Sequence, residues 1–526
     1  MKKLVSATLL MTGSSVLSLV LNFLLQVYLA FKFGALAEMD AYFAATTVPT
    51  LVVIVLIASL NVVFIPVFVE YENSQNADQA WHAASSVLNL TLVLLAAVIG
   101  LGWLFSRWII ELTVPGLTPA TRDLSVALLY WLWPTVILNA ATTLLTGLYQ
   151  AEHRFPITAA APVVGALSMF GLAVGLSHWQ GIQGVAIAAV ISQVVQLICL
   201  LPILFERGHF RFALDLHHPA VRSVLALATP LILSSLIYRA TPLADRFVAS
   251  MLPPGSLSHL AYGNRIALVL NTVFVSGLAT TLFPSMAREG AARDFRQLRQ
   301  TVARGQRMLM LFLFPAIALL WALRKPFLEI LLQRGEFTSQ DTYAVAAVLP
   351  WYLLAVVGGA LGTLQGYVYY VLKDTRTPAI LGLLQVGAYI LYLPWLAHLY
   401  GATGVASANA IYFDTALLFH AVVIFYYKLG ATGGSNLLGA MARLTLVSGV
   451  AGLVAYGFGR RFEESALMAL VGGGIAGGVL YLGVLYVFRM RELVWLGTLV
   501  EASRFGPSLH WLLRPLLAHT EADYGR

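Results

Sequence analysis

Three arginines and one aspartate lie inside apolar segments near the middle of this sequence: Arg239, Asp245, Arg246 and Arg265. An ionised side chain in the hydrocarbon of a bilayer costs at least ~2.5–3.5 kcal/mol, so such residues normally face a protein interior or a water-filled cavity. A guanidinium group binds phosphate through two parallel hydrogen bonds. Because three arginines exceed the single carboxylate, the pattern favours a cationic cavity that binds an anionic, phosphate-bearing headgroup.

The same residues also have a purely structural interpretation, in which they pair with one another and hold helices together. Arg239 and Arg246 are separated by two helical turns, so they would share one helix face about 10 Å apart. Asp245 points about 100° away from Arg246 and could pair with another arginine. We predict headgroup binding by Arg265, Arg239 and Arg246, and a gating or ion-pair role for Asp245. Internal pairing is the alternative.

Three further charged residues could take part in transport. Lys32 and Asp40 flank the short stretch FKFGALAEMDAYF. Lys32 is predicted to contribute to the headgroup site, or else to extend towards the membrane surface. Asp40 is predicted to act in gating or in an ion pair, or simply to favour the dipole at the start of the second helix. Asp414, in the middle of an apolar run, indicates either a coupling site for H⁺ or Na⁺ or a pair with an arginine.

Membrane-spanning helices must carry all of these residues. The chain has 526 residues, of which 59% are hydrophobic and 11% are charged, whereas soluble domains carry about 25% charged residues. Repeated apolar runs predict an all-α polytopic membrane protein with about fourteen transmembrane helices. Most of the 32 lysines and arginines fall in segments on one side, which predicts that both termini are cytoplasmic.

Other function classes find little support in the sequence. The net charge of +8 is explained by basic cytoplasmic loops, so we expect no nucleic-acid partner. No Walker A or H-E-x-x-H motif occurs, and the loops predicted outside the membrane are too short for the active site of a glycosyltransferase or glycan polymerase. We therefore predict a protein that is not an enzyme and has no metal site or cofactor.

Two parts of the chain repeat each other. GIQGVAIAAVIS (181–192) matches GATGVASANAIY (401–412), and Phe-Ile-Pro (64–66) matches Leu-Phe-Pro (282–284). A duplicated unit of six helices predicts two pseudo-symmetric lobes with a site at their interface. The predicted divisions are an N-terminal lobe (1–205), a cytoplasmic linker (206–222), a C-terminal lobe (223–430), an extra helix pair (431–490) and a cytoplasmic tail (491–526).

Several stretches in this order resemble the MurJ/MviN lipid II flippases of the multidrug/oligosaccharidyl-lipid/polysaccharide exporter superfamily: FGALAEMDAYFAATTVPTL, LLQRGEFTSQDT and YYVLKDTRTPA. The resemblance implies a fourteen-helix flippase with a cationic cavity, which moves an undecaprenyl-diphosphate-linked saccharide by alternating access. It also implies that the last helix pair forms an apolar groove for the lipid tail. By position, Arg265 matches the family's cavity arginine on the eighth helix, and Asp40 matches its acidic residue on the second.

The resemblance leaves the exact glycan open. Positions where the family carries charges on its first helix hold Leu25, Gln26 and Phe31 here. Lipid II and an exopolysaccharide or O-antigen unit are both candidate substrates, and a MATE-like multidrug or small-molecule exporter is the alternative. The expected partners are the polyprenyl-diphosphate-linked glycan, membrane lipid and cell-envelope synthesis enzymes, in the bacterial cytoplasmic (inner) membrane. Na⁺, H⁺ or the membrane potential would drive transport.

Overall fold

The structure is a computed structural model of the chain. It describes residues 2–57, 77–205, 215, 221–224, 226, 228, 232, 240–430 and 434–487. Helices make up nearly all of these residues, and no strand occurs among them. The predicted all-α architecture is therefore confirmed.

Several helices of the first half begin at a proline, which suits the first helical turn. The described helices of this half are α1 (Lys2–Phe33), α2 (Ala37–Val52), α3 (Ala77–Thr113), α4 (Pro119–Leu132), α5 (Pro134–Ala151), α6 (Phe155–Leu200) and the short α7 (Pro202–Phe205). A π-helical turn, Val53–Ile57, continues α2.

The described residues of the second half are mostly helical as well. Its helices are α8 (Ala240–Ser250), α9 (Ser256–Ala291), α10 (Phe295–Ala322), α11 (Arg324–Leu331), α12 (Ser339–Val371), α13 (Arg376–Tyr400), α14 (Ala402–Val422), α15 (Gly434–Arg461) and α16 (Ala466–Val487). A second π-helical turn, Val423–Lys428, continues α14.

Eleven helical segments in the described residues are long and apolar enough to cross a membrane. One of them, Phe155–Phe205, contains Gly181 with φ 57° and ψ −137°, so two helices meet there. The multi-pass architecture is confirmed. The count of fourteen stays a prediction, because most of the segment from 206 to 239 lies outside the described residues.

The duplicated stretches adopt the same local conformation. Gly181 and Gly401 have φ 57° and 59°, and His153 and Lys373 have φ 58° and 55°. The members of each pair are about 220 positions apart. Left-handed backbone is uncommon for residues other than glycine. Its recurrence at matching positions supports a duplicated structural unit.

Contacts within the chain define two compact units, each made of separate segments. Unit 1 comprises Met1–Tyr262, Arg334–Asp341 and Val386–Val405, and the remainder forms unit 2. In unit 1, α1 packs along α6, and α2 lies against α4. In unit 2, α15 packs against both α16 and α10. The predicted lobe boundaries stay a prediction.

A glycine brings two helices of unit 2 together beside Asp414. A methyl group added at Gly358 on α12 would overlap the backbone of Phe413 and lie 2.7 Å from the backbone nitrogen of Asp414 on α14. The hydroxyl of Tyr481 on α16 donates to the carbonyl oxygen of Leu311 on α10 at 2.7 Å. The final helix pair is thereby attached to the helices that surround Asp414.

Candidate functional site

Asp40 caps a helix that begins more than 200 residues later in the chain. The residue is 3% exposed. It accepts hydrogen bonds from the backbone nitrogens of Gly255 at 2.6 Å and Ser258 at 2.8 Å, and from the Ser258 hydroxyl at 2.6 Å. A carboxylate at a helix N-terminus accepts hydrogen bonds from the free N–H groups and interacts favourably with the helix dipole. Asp40 therefore fixes the start of α9 against α2 in unit 1.

Two glycines in left-handed conformations join the loops beside Asp40. Gly34 (φ 59°) packs against the carbonyl of Glu336, and Gly335 (φ 62°) packs against the carbonyl of Phe31. The Glu336 backbone nitrogen donates to the Phe31 carbonyl oxygen at 2.9 Å. A side chain at either glycine would be strained and would meet the opposite backbone. We call the contact of loops 31–36, 252–256 and 334–338 the three-loop junction.

The R-G-E-F-T-x-x-D-T motif completes this junction. Asp341 accepts a hydrogen bond from the Thr338 backbone nitrogen at 2.8 Å, and its other oxygen lies 2.8 Å from Nε2 of His259. The ring of Phe337 meets the edge of Tyr262 at 5.6 Å, and the Tyr262 hydroxyl donates to the Gly34 carbonyl oxygen at 3.0 Å. These motif residues thus hold helix ends in place.

Asp245 and Arg246 both make contacts inside unit 1. The hydroxyl of Tyr389 on α13 donates to Oδ1 of Asp245. The half-buried Arg246 lies with its guanidinium carbon 5.7 Å from the centre of the Phe43 ring, and its Nη1 is 3.4 Å from the Leu257 carbonyl oxygen. An arginine over an aromatic face gains a cation–π attraction. These contacts give both residues a structural role beside any transport role.

Arg265 is exposed on α9, as is its neighbour Asn264. Ile266 and Ala267, which follow, are buried. Arg265 is nine positions beyond Ser256, the first residue of α9, or roughly 14 Å along the axis. Within the described part of the chain, Arg265 forms no ion pair with a carboxylate. A charge at that depth requires contact with water or with an anionic ligand.

The remaining predicted headgroup residues are less informative. Lys32 is half-buried in the last turn of α1. A cation at this end of a helix interacts favourably with the helix dipole. Arg239 lies outside the described residues.

Asp414 lines a cavity of about 630 Å³ in unit 2, a volume typical of small-molecule sites. The cavity follows α15 from Met441 to Tyr456, and its other walls come from α10, α12 and α14, with Arg324 of α11. Aliphatic and aromatic side chains form most of its wall. The backbone N–H of Gly358 faces the carboxylate, and Oδ1 of Asp414 has no hydrogen-bond partner among the described residues.

The K-D-x-x-T-P motif forms a charged cap on α13. Asp374 accepts hydrogen bonds from the backbone nitrogen of Thr377 at 3.0 Å and from its hydroxyl at 2.6 Å. The ammonium of Lys428 lies 2.8 Å from Oδ2 of Asp374. The Lys428 ammonium, followed by the Thr377 donors, holds the pKa of the Asp374 carboxyl well below its ordinary value.

Replacing Asp374 with asparagine should lower the thermal stability in a pH-dependent way. A carboxyl whose pKa is lowered by folding stabilises the protein above its unfolded pKa of about 3.9, and that contribution is lost as the pH falls further. The Tm difference between wild type and Asp374→Asn should be constant above about pH 5 and shrink below about pH 4. Melting curves of the purified protein measure it.

Asp123→Asn is the matched control, since Asp123 is exposed and lies 3.8 Å from Arg107. The Tm of Asp123→Asn should equal that of wild type at every pH. A Tm difference for Asp374→Asn that is equally large at the acid end would contradict this assignment.

Sequence reasoning missed four residues that the structure brings into these sites. His259 contacts Asp341 and Tyr262 contacts Gly34 beside the three-loop junction, Tyr389 bonds Asp245, and Ser448 lines the Asp414 cavity. The tyrosines stand in apolar runs, where a hydroxyl needs a partner. That signal could have indicated them. Ser448 carries no such signal, because serine is common at helix contacts in membranes.

Comparison with known proteins connects these features to one family. The family model described as "Lipid II flippase MurJ" matches residues 29–480. A probable lipid II flippase MurJ of Vibrio cholerae serotype O1 is 26% identical over 516 residues, covering 93% of this chain and 97% of the relative. Another, of Bdellovibrio bacteriovorus, is 26% identical over 433 residues, covering 80% of this chain and 82% of the relative.

Solved structures with the same fold include a lipid II flippase MurJ in an inward closed conformation. The TM-score is 0.79 at 21% identity, covering 92% of this chain and all of that chain. An inward-facing MATE family multidrug resistance transporter has a TM-score of 0.65 at 15% identity, covering 81% of this chain and 96% of that transporter. At these identities the likeness concerns the fold alone, which is common to both kinds of transporter.

Proposed function

This chain belongs to the MurJ family of lipid II flippases, and on that premise we propose that it moves lipid II across the bacterial cytoplasmic membrane. The family is one of transporters. Lipid II is a polyprenyl-diphosphate-linked glycan, so its carrier must accept a charged headgroup and a long apolar chain.

The observation that carries the proposal is the exposure of Arg265 within α9. Its guanidinium forms no ion pair with a described carboxylate, and its depth requires water or an anion nearby. A diphosphate supplies two anionic groups with the geometry that arginine binds best. We infer that Arg265 binds the diphosphate. Arg239, Arg246 and Lys32 are proposed to take part in binding the headgroup as well.

The Asp414 cavity provides a second element of the mechanism. Its apolar walls and its course along α15 suit the lipid tail, which would stay in an apolar environment while the headgroup crosses. Transport then consists of headgroup binding from the cytoplasm, a change of access, and release on the other side. Membrane potential, or an ion bound at Asp414, returns the carrier. Both termini are proposed to be cytoplasmic, where envelope synthesis enzymes supply the substrate.

A multidrug exporter is the competing function, because MATE transporters have the same fold. A carrier of organic cations needs acidic groups in its cavity, whereas Arg265 brings a positive charge. Asp40 accepts hydrogen bonds as a helix cap, and Asp245 accepts a hydrogen bond from the Tyr389 hydroxyl. These contacts and the charge of Arg265 favour the anionic substrate. Asp414 lies in the apolar cavity assigned to the lipid tail, and Arg265 is not among the described residues that line that cavity.

Complementation tests the proposal. We expect this chain to restore growth to bacteria depleted of their own lipid II flippase, and to restore the exposure of lipid II on the outer face of the membrane. An empty plasmid is the control. A chain that is well expressed and membrane-inserted but gives no rescue would contradict lipid II as the substrate. Export of an exopolysaccharide unit would then be measured.

A further inference from the structure

The cavity beside Asp414 combines apolar walls with a carboxylate. Resting on the proposed function, we propose that Asp414 takes up a proton when a polyprenyl chain fills this cavity, so that tail binding and proton binding are coupled. The inference assigns the coupling ion, a proton, and the part of the substrate to which it is coupled.

Two residues that line this cavity each have a buried oxygen without a hydrogen-bond partner among the described residues: Oδ1 of Asp414 and Oγ of Ser448. Ser448 is 2% exposed. Both oxygens are buried, while the residues that carry them contribute to the cavity wall. Apart from the Gly358 N–H, solvation of the ionised Asp414 carboxylate therefore depends on water in the cavity that this residue lines.

Charged groups around the cavity do little to hold Asp414 in its ionised form. The other charged or titratable residues that line it are Arg324 and Tyr456. Arg324 donates to the Trp321 carbonyl oxygen at 2.8 Å in an exposed position. His420, on the same helix as Asp414, faces the Tyr369 hydroxyl at 3.0 Å. The described walls from α10, α12 and α14 contribute apolar side chains apart from Asp414 itself.

An apolar chain in this cavity would displace water from the carboxylate. Removing water from an ionised carboxylate without a paired cation is strongly unfavourable, so the carboxyl takes up a proton instead. Coupling is reciprocal: if the chain favours the proton, the proton strengthens binding of the chain by the same factor. For one proton, the affinity changes by at most about tenfold per pH unit. A proton gradient could then give transport its direction.

Proton uptake on chain binding is directly measurable. Full-length protein in lipid nanodiscs is titrated with geranylgeraniol, an uncharged polyprenyl alcohol, in weakly buffered solution with a pH-indicator dye. Protein-free nanodiscs are the blank. A photoactivatable analogue of the same alcohol measures binding and locates the labelled residues. An uncharged probe keeps headgroup ionisation out of the measurement.

Wild type is expected to take up as much as one proton per bound chain, and its affinity should fall by up to about tenfold per pH unit on the alkaline side. Asp414→Asn should bind the alcohol at every pH without proton uptake, since its amide resembles the neutral carboxyl. Glu329→Gln is the matched control. It removes a carboxylate of unit 2 that pairs with Lys325 outside the cavity, and it should behave like wild type.

The proposal is overturned if wild type binds the alcohol without proton uptake, if Asp414→Asn keeps the uptake, or if labelling does not fall on cavity residues. These results are separable from the test of lipid II transport. Rescue of growth without proton uptake would overturn the coupling alone. Proton uptake without rescue would overturn the assigned glycan alone.

Discussion

Arg265→Ala is expected to abolish growth rescue in cells depleted of their lipid II flippase while leaving the Tm of the purified protein unchanged. The side chain is exposed, and no described carboxylate pairs with it, so its removal costs the fold little. A charge-assisted hydrogen bond contributes about 1.5–3 kcal/mol, and losing it would weaken diphosphate binding roughly tenfold to a hundredfold.

Arg288→Ala is the matched control for Arg265→Ala. Arg288 is an arginine in the last turn of the same helix, where it contacts the Pro284 carbonyl oxygen and the Ser285 hydroxyl. We expect this variant to rescue growth. Arg265→Lys should rescue only in part, because an ammonium cannot form the paired hydrogen bonds of a guanidinium. Full rescue by Arg265→Ala would exclude Arg265 as the residue that binds the headgroup.

Arg265 could be found from sequence because the argument needs only one segment. A charged residue inside an apolar run has few stable environments, and the structure leaves this side chain exposed. The helical architecture and the duplicated turns follow from equally local patterns: apolar run length, and Gly181 and Gly401 at matching positions. Such features depend on residues that are close together in the chain.

The structural roles of Asp40 and Asp245 depend on distant residues, which the sequence does not pair. The Asp40 carboxylate meets nitrogens 215 and 218 positions away. Asp245 meets a tyrosine 144 positions away. The sequence indicated that these carboxylates need partners, but any of several arginines could have filled that role. One sequence by itself does not show which distant segment of the chain lies beside these two carboxylates.

Asp40→Ala is expected to lower the Tm by several degrees and to reduce transport as a consequence. The substitution leaves two backbone nitrogens and one hydroxyl, on Gly255 and Ser258, without an acceptor in a buried place. Each buried donor left unsatisfied costs about 1–3 kcal/mol. Because the variant no longer buries a carboxylate, part of this cost is offset. We expect the free energy of unfolding to fall by roughly 2–4 kcal/mol.

Glu38→Ala separates this effect from a general loss of negative charge at the start of α2. Glu38 lies in the same helical turn as Asp40 and is exposed, so its removal should leave the Tm unchanged. A gate residue without a capping role would give the opposite result for Asp40→Ala: normal Tm and lost transport. Thermal melting and growth rescue, measured on both variants, decide between a helix cap and a gate. The three short hydrogen bonds to a buried carboxylate favour the cap.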